Sequence, residues 1–208
     1  MTRGRGGPRP ETVALLREVY LEGIRTGKAR VVALAKKLGT SVEAVRSAIK
    51  EESARGLLKA RTGSVELTRT GRRRLKVVML GGAFEIIHPG HVHAVTEAKG
   101  LGNTLVVVVA TDESVERNKG RPPATEQASR VALVSSLRQV DLAIPGNKGS
   151  IFDILAKVRP DVVALGYDQG HNGEEIVREA ARRGLKLRTA RLSSPIPGVK
   201  TSKILLSM

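Results

Sequence analysis

Apolar residues first recur at helical spacing in "ETVALLREVYLEGIR", where Val13, Leu16, Val19, Tyr20 and Ile24 share one face. The pattern breaks at "TGKAR". It resumes over Val31–Lys50, "VVALAKKLGTSVEAVRSAIK", as two short helices around a turn. The period then falls to two. "LLKAR" and "SVELT" alternate about Thr62–Gly63, which predicts a hairpin. Beyond residue 75 the grammar changes again. Short β-branched runs ("LKVVML", "TLVVVVA", "VDLAIP", "DVVALG", "LKLRTARL") alternate with helical segments such as "HVHAVTEAKGLG", "TEQASRVALVSSLR", "SIFDILAKVRP" and "GEEIVREAARRG". Runs apolar on both faces belong to the middle of a parallel sheet. Strand–helix alternation implies right-handed crossovers, hence an α/β, doubly wound sheet of five parallel strands. The expected organisation is a flexible basic arm at 1–10, a small helical domain with a hairpin at 11–74, and the α/β domain at 75–208.

Within the first domain, Ala35 is small where two helices cross, and Gly39 falls where a tight turn needs positive φ. Thr40 or Ser41 can cap the next helix. Val45 and Ile49 point to its core, which leaves Arg46, Ser47 and Lys50 outward to meet phosphates and base edges. The helix pair followed by a hairpin resembles winged helix-turn-helix DNA-binding domains. Charge agrees. The 208 residues carry a formal +16, and residues 1–75 hold 18 Lys and Arg against 7 Asp and Glu. The remainder holds 18 against 13. A polyanion is the natural partner of the first third.

Composition removes some chemistry. The chain has no Cys, so thiolate metal sites, disulfides and a Cys nucleophile are excluded, and a reducing cytoplasm fits. No apolar run is long enough to span a bilayer, and "MTRGRGGPRP" has no apolar stretch behind it, so neither a membrane anchor nor a signal peptide is expected. Aromatics are 2% of the chain, so the core is built from Val, Leu, Ile and Ala.

The segment "GGAFEIIHPGH", Gly81–His91, stands out from packing needs. It follows the first strand of the α/β domain and enters the first helix, where such sheets bind ligands. Gly81 and Gly82 let a phosphate near the backbone, with Ala83 and Phe84 next to them. Gly90 keeps a helix N-terminus open to anions. His88 and His91 project from one turn. The segment is neither GxGxxG nor a Walker A loop.

This segment resembles the GxF…HxGH signature of the cytidylyltransferase-like nucleotidyltransferases. "NKGRPPATEQASRVALVSSLRQVD", "RPDVVALGYDQ" and "TSKIL" resemble further motifs of that family, and their order is most similar to the archaeal-type FAD synthase group. The resemblance implies transfer of AMP from ATP to FMN, with Mg²⁺ carried mainly by the nucleotide and water. It implies that His88 and His91 hold the triphosphate and steady the α-phosphoryl group. Lys119 and Arg130 would neutralise phosphate oxygens. Thr201, Ser202 and Lys203 would grip the outer phosphates, and Asp168 would contact base, sugar or acceptor. Other acceptors, such as phosphopantetheine, nicotinamide mononucleotide or an alcohol phosphate, stay open. So does a nucleotide-sensing regulator without turnover.

Two departures bear on this. The family usually carries Asp where this chain has Glu85, which questions a capping or metal-bridging role there. The "RTEGIST" signature of glycerol phosphate cytidylyltransferases is missing, which favours adenylyl transfer. Phe84, Phe152 and Tyr167 are the aromatic candidates in this domain for stacking on a flavin ring. The DNA-binding domain implies a regulatory attachment and, through paired half-sites, a homodimer.

Overall fold

The structure is a computed structural model that describes residues 9–167, 170 and 172–193. The chain divides into two compact units, Met1–Leu75 and Lys76–Met208.

In the first unit, α1 (Pro10–Thr26) buries Leu15, Leu16, Val19, Leu21 and Ile24. Val13 and Tyr20, expected on that face, are only half-buried, and Thr12 and Glu22 take inner positions instead. The reason is polar. The Thr12 hydroxyl donates to Glu52 at 2.7 Å, which ties α1 to α3 (Val42–Ala54). Tyr20 lies under the Arg72 guanidinium, 5.4 Å from the ring centre. Between them, α2 (Val31–Leu38) ends at Gly39 with φ 63°, a left-handed turn that a side chain would strain. Ser41 caps α3 by accepting from the Ala44 N–H at 3.1 Å. Val45 and Ile49 are buried, whereas Arg46, Ser47 and Lys50 are exposed. The hairpin follows: β1 (Leu58–Arg61) pairs antiparallel with β2 (Ser64–Leu67), and Arg61 stands opposite Ser64 across the turn. Ala29 adds an isolated bridge to Val65, so the hairpin is stitched to the segment between α1 and α2. A short helix, α4 (Arg69–Arg72), closes the unit.

The second unit is a five-stranded, all-parallel sheet. Its strands are β3 (Val77–Gly82), β4 (Thr104–Val109), β5 (Leu142–Pro145), β6 (Val162–Leu165) and β7 (Arg188–Arg191), in the order β5-β4-β3-β6-β7. The order reverses beside β3, which has β4 on one side and β6 on the other. Val77, Val78, Val106, Val107, Val162 and Val163 are all buried, as a sheet covered on both faces requires. The helices are α5 (Pro89–Gly100), α6 (Asp112–Lys119), α7 (Gln127–Ser135), α8 (Ile151–Val158) and α9 (Gly173–Arg182). Four of these five follow the helical patterns of the sequence. The exception is α6, "DESVERNK", where only Val115 is buried. It has no apolar stripe to reveal it. Its ends are well marked, since Thr111 accepts from the Ser114 N–H and Gly120 closes it with φ 69°.

Candidate active site

The turn after β3 is shaped by Phe84. Its backbone is left-handed, with φ 50°, and its ring is buried. The ring lies over Gly82 so closely that a Cβ there would sit 2.8 Å from it. Gly82 is therefore needed for packing as well as for access. The same ring reaches His91, with centroids 5.2 Å apart. His88 is the N-cap of α5, Pro89 starts the helix, and the His91 N–H donates to the His88 carbonyl at 2.8 Å. This geometry stacks the two imidazoles, whose centroids are 4.0 Å apart and whose planes differ by 30°. Nδ1 of His88 is buried and has no hydrogen-bond partner among the described residues. Burial, and then the positive charge of Lys119, hold the His88 pKa below the usual histidine value. His88 is therefore neutral at pH 7, which leaves one ring nitrogen to donate and one to accept.

Lys119 reaches this turn from the last residue of α6. Its ammonium donates to Glu85 at 2.5 Å. The Glu85 side chain is wholly buried. Its carboxylate also accepts from Arg121 at 2.6 and 3.3 Å, and from the Ala124 N–H at 3.0 Å. Burial alone would raise this carboxyl. The bonds from Arg121, Lys119 and Ala124 overcome that and lower its pKa to about 2. Glu85 thus clamps the segment 119–124 to the turn after β3. The Glu85 carboxylate therefore meets two cations and an amide. Arg121, adjacent to "KG", is a cationic signal in the sequence, but no spacing singles it out.

Arg130 is turned into the protein interior. It is completely buried, and its guanidinium donates to the Thr125 carbonyl at 3.0 Å, the Ala110 carbonyl at 2.9 Å, the Ala83 carbonyl, and Asp112 at 2.6 Å. With those donors directed to protein oxygens, it braces the loops that carry them. Gln127, one turn earlier on α7, likewise joins the ends of β4 and β5 by donating to Val109 and Gly146.

Beside the turn lies a cavity of about 330 Å³ at the carboxyl ends of β3, β4, β5 and β6. Gly81, Gly82, Ala83 and Lys119 line it together with aliphatic side chains such as Val108, Ile154 and Leu165. Polar groups come from Thr111, Ser114, Asn118 and Asn147; Asn118 opens the segment "NKGRPPATEQ" without a role assigned to it there, and the other three lie outside the sequence motifs. Thr111 caps α6, Ser114 and Asn118 lie within it, and Asn147 lies in the β5–α8 loop between Gly146 and Gly149. Among the described residues no aromatic side chain lines the cavity. Phe152 instead sits 4.6 Å beneath the Arg183 guanidinium, and Tyr167 is exposed after β6. Gly90 is buried in the first turn of α5. Asp168, Thr201, Ser202 and Lys203 lie outside the described residues. Among the described residues no group of three or more His, Asp or Glu could hold a metal ion, and no helix is long and apolar enough to cross a membrane.

The FAD synthase of Aciduliprofundum boonei is 46% identical over 115 residues, covering 55% of this chain and 76% of that protein. The FAD synthase of Pyrococcus horikoshii is 41% identical over 136 residues, covering 64% and 91%. A solved structure from Thermoplasma volcanium, titled a lipopolysaccharide core biosynthesis protein, is 41% identical. It aligns with TM-score 0.55 over 58% of this chain and 98% of its own. The cytidylyltransferase-like family model matches residues 79–205, more than half the chain, including the turn and helix that carry the two imidazoles, so this chain belongs to the cytidylyltransferase-like family.

Proposed function

We propose that this chain is an FMN adenylyltransferase that converts ATP and FMN into FAD and pyrophosphate, and that its first unit is a winged helix-turn-helix that binds DNA. One observation carries the enzymatic reading. A glycine-opened turn at the switch point of a parallel sheet presents two stacked imidazoles beside a lysine, next to a cavity, in a chain whose relatives are named FAD synthase.

In this reading a phosphate oxygen of FMN attacks the α-phosphorus of ATP. The bond from the α-phosphorus to the bridging oxygen breaks, and pyrophosphate leaves with that electron pair. No covalent enzyme intermediate forms. The protein aligns the two anions and stabilises charge on the oxygens in flight. His88 and His91 donate to the α-phosphoryl oxygens from the helix N-terminus, where the free amide groups also favour negative charge. A neutral His88 does this without repelling the imidazole 4.0 Å away. Lys119 supplies the full positive charge. Glu85 is shared between two cations, so the cluster of Glu85, Lys119 and Arg121 has a net charge of +1. Lys119 can therefore turn to a phosphate while Arg121 and the Ala124 N–H keep the buried carboxylate satisfied. Arg130 acts as a positioning residue for the turn. Mg²⁺ enters as part of the nucleotide substrate, held by its phosphates and water.

The cavity is the place for the acceptor. Its volume lies at the small end of ordinary ligand pockets, roughly 300–1,000 Å³. With the aromatic residues engaged elsewhere, a flavin ring would pack against the aliphatic wall, and its polar edge would meet the amides of Asn118 and Asn147.

For the first unit, the supporting feature is the exposed cationic face. Arg46, Ser47 and Lys50 project from α3 after a capped turn. Lys59 and Arg61 project from the hairpin. Phosphates would pair with these groups, and the α3 face would meet base edges.

The deciding experiment offers the purified protein ATP or CTP with FMN, phosphopantetheine, nicotinamide mononucleotide and glycerol phosphate, and follows pyrophosphate. Release with ATP and FMN, with FAD as the second product, is expected. Release only with another pair would reassign the acceptor. Binding of nucleotide without release under any pair would make the chain a sensor.

A further inference from the structure

The bridge that stitches Ala29 to the hairpin also decides which side chains share its outer face. Ala29 pairs antiparallel with Val65, whose N–H donates to the Ala29 carbonyl at 2.9 Å. Residues directly opposite one another in a sheet point to the same face. Ala29, Leu58 and Val65 are buried, so they define the inner face. The outer face then carries two rows. Lys28, Glu66 and Lys59 form one, and Arg30, Ser64 and Arg61 form the other. The four cations and Glu66 are all exposed. Neighbouring strands lie about 5 Å apart and alternate residues along a strand about 7 Å apart, so four cations crowd round one carboxylate. That carboxylate accepts from Nε of Arg61 at 3.4 Å. Both partners of the pair are more than half exposed, so it adds little to folding. Its main effect falls on whatever approaches the face.

We propose that this face docks the sugar–phosphate backbone of duplex DNA, that Lys28 and Arg30 act in it together with the hairpin cations, and that Glu66 limits its affinity. The inference deepens the DNA-binding reading of the first unit and rests on it. Charge selects the class of partner. Four cations against one carboxylate leave a net +3 on the face, in a unit with 18 Lys and Arg against 7 Asp and Glu. A polyanion complements that surface. Side-chain chemistry selects the duplex. Single strands are held by bases stacked on aromatic rings, and none of the six residues in the two rows is aromatic. A membrane surface would call for apolar groups beside the cations, and the six are all polar. A duplex backbone needs only charge and hydrogen-bond donors at fixed spacing. Lys28 and Arg30 flank a residue bonded into the sheet, so the register sets their spacing. Glu66 repels an approaching phosphate and occupies Arg61. It weakens contact with any backbone alike, which leaves discrimination to groups that meet base edges.

The test is fluorescence anisotropy of a labelled DNA duplex of mixed sequence with the full-length protein, repeated over a range of salt concentrations. Lys28→Gln combined with Arg30→Gln should lower the slope of log K against log salt by about 2 and weaken binding about tenfold in dilute salt. Glu66→Gln should do the reverse and tighten binding about fivefold, because Arg61 is released to phosphate. Damage to the fold cannot produce that gain, so the two variants together separate a surface effect from misfolding. Unchanged affinity and slope in the double variant would overturn the proposal. So would equal or weaker binding by Glu66→Gln. Tighter binding of single-stranded RNA or of phosphatidylserine vesicles than of the duplex would give the face to another partner and overturn it as well. In each of these cases the unmodified protein still binds DNA or another polyanion. Failure of the unmodified protein to bind the duplex at any salt concentration would instead refute the DNA-binding reading on which the proposal stands.

Discussion

Glu85 and Lys119 are 34 residues apart in the chain, and their charged groups are 2.5 Å apart in the fold. The bond joins the turn after β3 to the end of α6. With Arg121 it holds a carboxylate ionised in a place where burial alone would raise its pKa. Lowering this pKa from 4.5 to about 2 means that the fold is stabilised by the ionised form. At roughly 1.4 kcal/mol for each pKa step, the contribution is about 3 kcal/mol. It is fully present above pH 4.5 and is lost as the pH falls towards 2. Urea denaturation across that range should show the loss in the native protein. Glu85→Gln should be less stable at pH 7 and show a smaller acid-induced loss. Parallel curves for the two proteins would refute the assignment.

Removing an imidazole should affect chemistry more than folding. His88→Ala and His91→Ala are expected to reduce kcat by about 10²–10³, the usual cost of one missing donor to a charged transition state. ATP binding by calorimetry should change far less. Because burial and Lys119 depress the His88 pKa, His88 should titrate below 6.5. NMR of the imidazole resonances would report this directly.

Arg130 should behave in the opposite way. Truncation to Ala leaves the carbonyls of Ala83, Ala110 and Thr125 without their donor and breaks the pair with Asp112. The expected loss is about 3–5 kcal/mol of folding stability. Lys cannot reproduce the planar fork and should recover little of it. Whatever fraction remains folded should keep its KM for ATP. A stable Arg130→Ala protein with a large kinetic defect would return Arg130 to the phosphate.

The cavity can be tested from its rim. Ile151 lines it and is 38% exposed, so a larger side chain there need not disturb the core. Ile151→Trp should raise KM for FMN by about tenfold, the scale of one misfit in an apolar pocket. KM for ATP should stay close to its original value. Equal effects on both substrates would place the acceptor elsewhere.

For the first unit, Arg46→Ala and Lys50→Ala should weaken DNA binding. Each cation withdrawn from a phosphate should reduce the slope of log K against log salt by about 1. Unchanged affinity and slope would remove α3 from the interface.

The sequence shows its regular elements and hides its junctions. Valine runs reveal β3, β4 and β6 because both faces of those strands are buried. The imidazole pair is legible because packing has no use for His-x-Gly-His. Helix α6 is hidden because a solvated helix with one buried residue leaves no period. The roles of Glu85 and Arg130 are hidden for another reason. Apart from Thr125, their partners lie 18 to 47 positions away along the chain, and no local pattern encodes such pairings. A positive charge in a motif reads as a phosphate ligand until its neighbours are known, and in Arg130 the neighbours are mostly carbonyl groups.

The Arg130 brace also limits how this enzyme can diversify. Three separate loops hang on one planar group, so lengthening any of them would pull the others out of register. Insertions should be tolerated in the β5–α8 connection, which that group does not touch, long before they are tolerated after β3 or β4.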